Sequence, residues 1–367
     1  MLKPLQALRE HGQSPWIDYL SRSIVRDGEL EQLIADGICG VTSNPTIFQG
    51  AISEGDEYDS QLRSVLQDTR DPKTAFLALA SEDIRGACDL LRDAFDRGES
   101  TRDGWVSLEV DPNLAYDAQG TIEEAQRLYR MIERPNLFIK IPGTEPGLEA
   151  IEESIAAGIP INVTLLFSLE RHRAAAQAYL RGLRRLREAG GELRNVASVA
   201  SFFVSRVDTE ADRRLDELGG HDELKGKLAI ANAKLAYQTY KELFSGSEWD
   251  ELERAGASPE RCLWASTSTK NPDYSDVLYV EELIGPNTVN TMPRETIEAF
   301  QDHGHVEDTL ERDLDGARRT LERFAELGVD YADVVETLER EGVEKFAKSF
   351  QELFDCVAAK RDALVAA

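Results

Sequence analysis

Short apolar runs alternate with longer amphipathic stretches along most of this chain. The short runs have no polar face, which marks strands buried on both sides, as in parallel sheets. The longer stretches repeat apolar residues every three to four positions and read as helices. A helix is expected over residues 1–10, then a short strand in WIDYLSR (16–22). ELEQLIAD (29–36) is amphipathic, and Gly37 behind it suits a helix C-cap. ICGVTSNP (38–45) reads as a strand ending in a turn; helices over 56–67 and 72–97 and a strand in WVSLEVDP (105–112) follow.

From there the alternation tightens. Thr121, with Glu124 three residues on, has the spacing of a capping box at the start of TIEEAQRLYRMIE (121–133). LFIKIPGT (137–144), IPINVTLLF (159–167) and the start of NVASVASFFVSRVD (195–208) read as strands. Between them lie helical stretches over 147–158, closed by Gly158, and over 168–190; helical periodicity also fills 214–244. RCLWASTST (261–269) and NTVNTMP (287–293) add two strands, and helices occupy most of 294–367. Eight strands separated by helices imply βα units closing into a (β/α)8 TIM barrel. A single domain over 1–367 is expected, with an N-terminal helix and extra C-terminal helices. The competing doubly wound sheet normally brings a glycine-rich phosphate loop, and neither GxGxxG nor GxxxxGK[ST] occurs. The nearest approach, Gly220 to Gly226-Lys227, has one residue too many and is followed by Leu228.

Composition narrows the function classes. The 367 residues carry 42 Lys+Arg against 68 Asp+Glu, a net charge of −26. Such a surface argues against a nucleic-acid partner, which needs a basic face, yet a few arginines or lysines in a pocket can still hold a small anion. No run approaches the ~18 apolar residues of a membrane span. The first sixteen residues have neither a signal-peptide core nor a cleavage site, and the four cysteines, Cys39, Cys88, Cys262 and Cys356, form no CxxC pair. A cytoplasmic, reducing location is expected. A monomer and a homodimer are equally compatible with the sequence.

Polar residues inside or just after the strands are the candidates for chemistry, because barrel active sites form at the strands' C-terminal ends. They are Asp18, Asn44, Glu109, Lys140, Asn162, Thr164, Ser201 and Arg206. Lys140 stands out, flanked by Ile139 and Ile141 in a continuous apolar strand. Burying a charged amine costs several kcal/mol and favours its neutral form. Position alone leaves two readings open. The lysine is either structural, neutralised by Asp18 or Glu109, or a nucleophile that attacks a carbonyl to form a Schiff base. The carboxylates, amides and hydroxyls on neighbouring strands favour the second, since Schiff-base turnover needs proton shuttles. His303 and His305 near Asp302 and Glu307 read as a polar loop rather than a metal site.

At these residues the chain resembles the transaldolases. The resemblance lies in GVTSNPTIF (40–48), SLEVDPNLAYD (107–117), FIKIPGT (138–144), INVTLLFS (161–168) and SFFVSR (201–206), and it runs through most of the sequence. It implies a (β/α)8 barrel of the class I aldolase type and an enzyme of the pentose phosphate pathway. Such an enzyme transfers a dihydroxyacetone unit from sedoheptulose 7-phosphate or fructose 6-phosphate to glyceraldehyde 3-phosphate or erythrose 4-phosphate. By resemblance Lys140 is the Schiff-base lysine, Glu109 the acid/base acting through a water, Thr164 the residue orienting that water, and Asp18 the acid that takes the C4 hydroxyl proton. Asn44 and Asn162 match amides that hold substrate, and Ser201, Phe203 and Arg206 match the pocket around hydroxyls and phosphate. Other members carry a second arginine after the seventh strand in a run like ASFR. Here the run is ASTSTKNP (265–272), so Lys270, two residues later, is the cation that follows that strand. It can meet a phosphate as a point charge, without a bidentate fork. No metal or organic cofactor is implied. Two other readings are a fructose-6-phosphate aldolase and a noncatalytic sugar-phosphate sensor on the same scaffold.

Overall fold

A computed structural model describes residues 2–53, 56–98 and 103–366. Its strands are β1 (Gln13–Asp18), β2 (Gly40–Thr42), β3 (Trp105–Glu109), β4 (Leu137–Pro142), β5 (Ile161–Leu166), β6 (Ser198–Phe203), β7 (Arg261–Ala265) and β8 (Thr288–Met292). They pair in chain order, all parallel, and β8 returns to β1, so the sheet is a closed barrel wrapped by helices. The expected (β/α)8 architecture is the one observed. Among the described residues, no helix is long and apolar enough to cross a membrane.

Side chains alternate faces along a strand, so the inward positions stack in layers. At the N-terminal end of the barrel, Arg261 donates to Ser14 Oγ (2.9 Å) and to Asp103 (3.3 Å), and Ser14 itself donates to Asp103 (2.7 Å). Above that polar plug lies an aromatic layer. Trp105 stacks on Phe138 with ring centroids 4.1 Å apart, and Trp16 reaches across the barrel to within 6.2 Å of Phe138. Gly40 makes room for this layer: a Cβ there would lie 2.4 Å from the Trp16 indole. One step further along each strand, the inward residues become polar. The register pairs Glu109 with Lys140 and Lys140 with Asn162 at this level. The aromatic layer is therefore the dry floor on which the polar layer stands.

The helices differ from expectation where local signals compete. Thr121 is not the cap of its helix. The helix runs Ala118–Ile132 and is capped by Asp117, which accepts from the Gly120 N–H, while the Thr121 hydroxyl donates to Leu114 O. Both residues suit a helix start; the Thr121 hydroxyl is taken up by Leu114 O, and the carboxylate of Asp117 serves as the cap. The helix Pro45–Ser53 directly after β2 was not anticipated, because the Asn44-Pro45 pair that starts it also reads as a turn. The stretch 72–97 breaks into Pro72–Leu90 and Arg92–Arg97, and 214–244 into Ser205–Leu218 and Leu228–Leu243. The helix after β6 thus begins at Ser205, nine residues earlier than the expected 214, and Arg206 lies in its first turn. The C-terminal region forms Arg294–His303, Leu314–Glu326 and the 36-residue Tyr331–Ala366, which packs across Pro45–Ser53, Pro72–Leu90 and Ser205–Leu218.

Glu260, just before β7, is a buried acid remote from the barrel mouth. One carboxylate oxygen accepts from Ser198 (2.7 Å), and the other has no partner among the described residues. Burial pushes its carboxyl up from 4.5 to about 7. Below pH ~4.5 folded and unfolded chains are both protonated. Between there and pH ~7 only the unfolded chain ionises, so stability falls as pH rises, by an amount on the order of 3 kcal/mol at ~1.4 kcal/mol per unit. Glu260→Gln should remove that loss. The variant's advantage in melting temperature over the parent should grow from pH 5 to pH 8, and a difference constant across that range would contradict the assignment.

Candidate active site

The C-terminal ends of the strands open into a cavity of about 320 Å³ that contains Lys140 and the end of nearly every strand. That is small for a ligand site (~300–1,000 Å³), a size for a metabolite rather than a polymer.

Lys140 sits at its floor. The Nζ donates to Glu109 Oε2 at 3.2 Å, and both side chains are almost wholly buried. Burial raises the Glu109 carboxyl above the ordinary carboxylate range, with Lys140 pulling the other way and, more weakly, Arg206. Glu109 is therefore a carboxylate able to accept a proton from the amine beside it. Its second oxygen, Oε1, has no partner among the described residues, and neither has the buried hydroxyl of Thr164. Asn162 is fixed from both sides: its Nδ2 donates to Ser107 Oγ (3.0 Å), and its Oδ1 accepts from Ser201 Oγ (2.7 Å). Ser201 in turn lines the cavity with Thr164.

Asp18 ends β1 at the opposite wall. Thr42, two residues after Gly40 and so on the same face, donates to Asp18 at 2.7 Å and shares a 2.6 Å hydroxyl contact with Thr291 of β8. The Asp18 carboxyl keeps an edge on the cavity but is enclosed by protein atoms. Burial raises it above the ordinary range, against the pull of Lys140, the Thr42 hydrogen bond and Arg206. Asn44 lines the same wall; its Oδ1 accepts from Ile47 N–H (3.1 Å), which caps the helix Pro45–Ser53 and orients the amide NH2 as the group left to meet a ligand.

The mouth is cationic. The Arg206 guanidinium lies 5.0 Å from the Phe203 ring and 5.6 Å from the Phe346 ring, and Phe346 is equally 5.6 Å from Lys140 Nζ. Burial holds the Arg206 guanidinium below its ordinary value. Its helix is tied to the segment after β7: Ser205 N–H donates to Ser266 O (3.0 Å), and the two hydroxyls lie 2.8 Å apart. Lys270 follows in that segment and donates to Ser268 Oγ at 2.6 Å. Of the ten residues singled out from the sequence, Asp18, Asn44, Lys140, Thr164, Ser201, Phe203, Arg206 and Lys270 all line the cavity. Glu109 and Asn162 stand one contact behind it. Thr42, Thr291, Glu295, Lys345 and Phe346 were not anticipated. Strand alternation from Gly40 points to Thr42, but nothing local marks the pair on the C-terminal helix.

A larger groove of about 920 Å³ lies outside the barrel between Leu228–Leu243 and Leu314–Glu326. Its cations are largely spoken for: Lys225 pairs with Asp216 and Asp222, Lys234 with Glu282, Arg312 with Glu307, and Arg323 with Glu326. Convergent, unpaired chemistry is found in the smaller cavity. Among the described residues, no three His, Cys, Asp or Glu side chains are grouped to hold a metal ion; His303 pairs at the surface with Asp276 and Asp302.

Residues 15–357 match the family model described as Transaldolase/Fructose-6-phosphate aldolase. The chain is similar to proteins named transaldolase from Thermobifida fusca (50% identical over 98% of each chain), Parafrankia sp. (51%, covering 97% of this chain and 98% of the relative) and Mycobacterium tuberculosis (47%, 98% and 97%).

Proposed function

Because the chain belongs to the transaldolase/fructose-6-phosphate aldolase family, we propose that it is a transaldolase working through a Schiff base on Lys140. The observation that carries this reading is the buried Lys140–Glu109 pair, 3.2 Å apart, beneath a cavity whose mouth is cationic. Glu109 takes a proton from the Lys140 ammonium, and the neutral amine attacks the C2 carbonyl of fructose 6-phosphate or sedoheptulose 7-phosphate. The carbinolamine loses its hydroxyl as water, leaving a protonated imine. A water held between Glu109 Oε1 and the Thr164 hydroxyl would satisfy both unpaired oxygens and relay the proton. Asp18, raised by burial and steadied by Thr42, then takes the C4 hydroxyl proton. The C3–C4 bond breaks, the aldose phosphate leaves, and its electron pair is stored as an enamine on Lys140. Glyceraldehyde 3-phosphate or erythrose 4-phosphate accepts that unit by the reverse steps. No step calls on a metal or organic cofactor, and the free cysteines support a cytoplasmic setting.

Supplying fructose 6-phosphate with and without erythrose 4-phosphate tests the reaction. A transaldolase makes sedoheptulose 7-phosphate with the acceptor and little free dihydroxyacetone without it. Steady dihydroxyacetone release in the acceptor's absence would mean an aldolase, and no product in either arm would mean a sensor.

Arg206 serves the phosphate in this reading, on a protein whose overall charge repels a dianion. Arg206→Ala should raise KM for fructose 6-phosphate roughly 10- to 150-fold, the worth of a charge-assisted contact. Unphosphorylated fructose should be affected far less. Equal impairment of both sugars would assign the arginine to the scaffold.

A further inference from the structure

Acids outnumber bases 68 to 42 in this chain, so a cation can usually find a carboxylate. The helix Leu169–Glu188 shows the rule: Arg181 pairs with Glu152, Arg184 with Glu248, Arg185 with Glu152 and Glu153, and Arg187 with Glu251. The mouth of the cavity breaks it. Arg206, Lys270 and Lys345 line one side, and none of them has a carboxylate within ion-pair distance among the described residues. Lys270 and Lys345 are exposed, while Arg206 is mostly buried and feels Asp18 and Glu109 only from beyond ion-pair distance. Three cations brought to one rim in this way form a ready seat for an anion.

Lys345 is held there by its helix. Gly342, one turn before it, packs so closely that a Cβ would come within 3.1 Å of Leu165. Phe346 is buried against Arg206 and Lys140, and Ser349, one turn after, accepts from the Thr46 hydroxyl at 2.9 Å. Positions 342, 346 and 349 form one helix face, and residue 345 borders it. The helix Tyr331–Ala366 is thus pinned on both sides of Lys345, which fixes the lysine's backbone beside the mouth and lets its exposed side chain line the cavity. Arg206, foremost among its neighbours, holds that ammonium below its ordinary value, as expected where cations crowd.

We propose that Lys345 is a specificity-determining residue of this enzyme: with Arg206 and Lys270 it grips the phosphate of the sugar, from a helix outside the barrel's βα loops. The proposal rests on the sugar-phosphate reading above. Arg206 offers a planar fork, and the two lysines close on the remaining oxygens as point charges. The C-terminal helix therefore both roofs the cavity through Phe346 and supplies a ligand.

Kinetics with fructose 6-phosphate and binding of inorganic phosphate by calorimetry test this together, on the parent, Lys345→Ala, Lys345→Arg and Lys348→Ala. Lys348 is a suitable control, since it lies on the same helix, its side chain is 78% exposed, and its loss changes net charge equally. Lys345→Ala should raise KM and the phosphate dissociation constant in parallel, roughly 5- to 30-fold for a charge-assisted contact weakened by the exposure of the position. Its kcat should stay within about twofold, Lys345→Arg should recover most of the loss, and Lys348→Ala should match the parent. Unchanged KM and phosphate affinity in Lys345→Ala, or equal shifts in Lys345→Ala and Lys348→Ala, would overturn the proposal. If the parent transferred nothing while Lys345→Ala still lost phosphate affinity, the reaction assignment would fail and the anion site would stand.

Discussion

Lys140→Met should give a folded protein that transfers no dihydroxyacetone unit. Methionine fills nearly the same volume in β4 but has no amine, so neither carbinolamine nor imine can form. The rate should fall by at least about 10⁴-fold, as when a covalent nucleophile is removed. Stability should change little, and the reason lies in Glu109. Stripping the cation from a buried carboxylate normally costs several kcal/mol. The Glu109 carboxyl, already raised by burial, escapes that cost by taking a proton and becoming neutral. A coupled transfer assay beside a thermal melt checks both halves. Residual turnover of a few per cent in a folded variant would remove Lys140 from the chemistry.

Glu109→Gln should be the next most damaging change. Glutamine keeps the shape and can still accept from Lys140 Nζ through its amide oxygen. It cannot take the amine's proton or pass one to the departing hydroxyl. The value of kcat should drop on the order of 10²-fold or more, with a much smaller change in KM, because general acid–base catalysis is worth roughly 10²–10⁴-fold. Near-normal kcat would make Glu109 only the structural counter-ion of Lys140, the alternative that the sequence leaves open.

The parts of this site that were legible in the sequence are those fixed by strand alternation. Glu109, Lys140, Asn162 and Thr164 each interrupt an apolar run, and a parallel strand with two buried faces can only turn such residues into the barrel. Arg206 was located correctly, but its setting was not: 214 was expected to start the helix, and Ser205 starts it. Val204, at the cap position, offers no side-chain cap that would start a helix, and the turn into helix is held by hydrogen bonds from Val204 and Ser205 N–H to Ala265, the last residue of β7, and Ser266 just after it. Asp117 and Thr121 compete as caps for a similar reason, since both satisfy the local rule and tertiary packing chooses. Lys345 and Phe346 had no local signal at all. Their role depends on where a 36-residue helix docks, which is a property of the whole molecule.

The central claim is a covalent bond between the donor sugar and one particular lysine. Incubating the protein with fructose 6-phosphate, reducing with borohydride and mapping peptides by mass tests it directly. Reduction freezes the imine as a stable secondary amine and adds the mass of the dihydroxyacetone unit to a single peptide. The label should fall on the peptide carrying Lys140, and it should be absent from Lys140→Met. Label on Lys270, Lys345 or Lys234 instead, or no label under conditions where transfer proceeds, would contradict it.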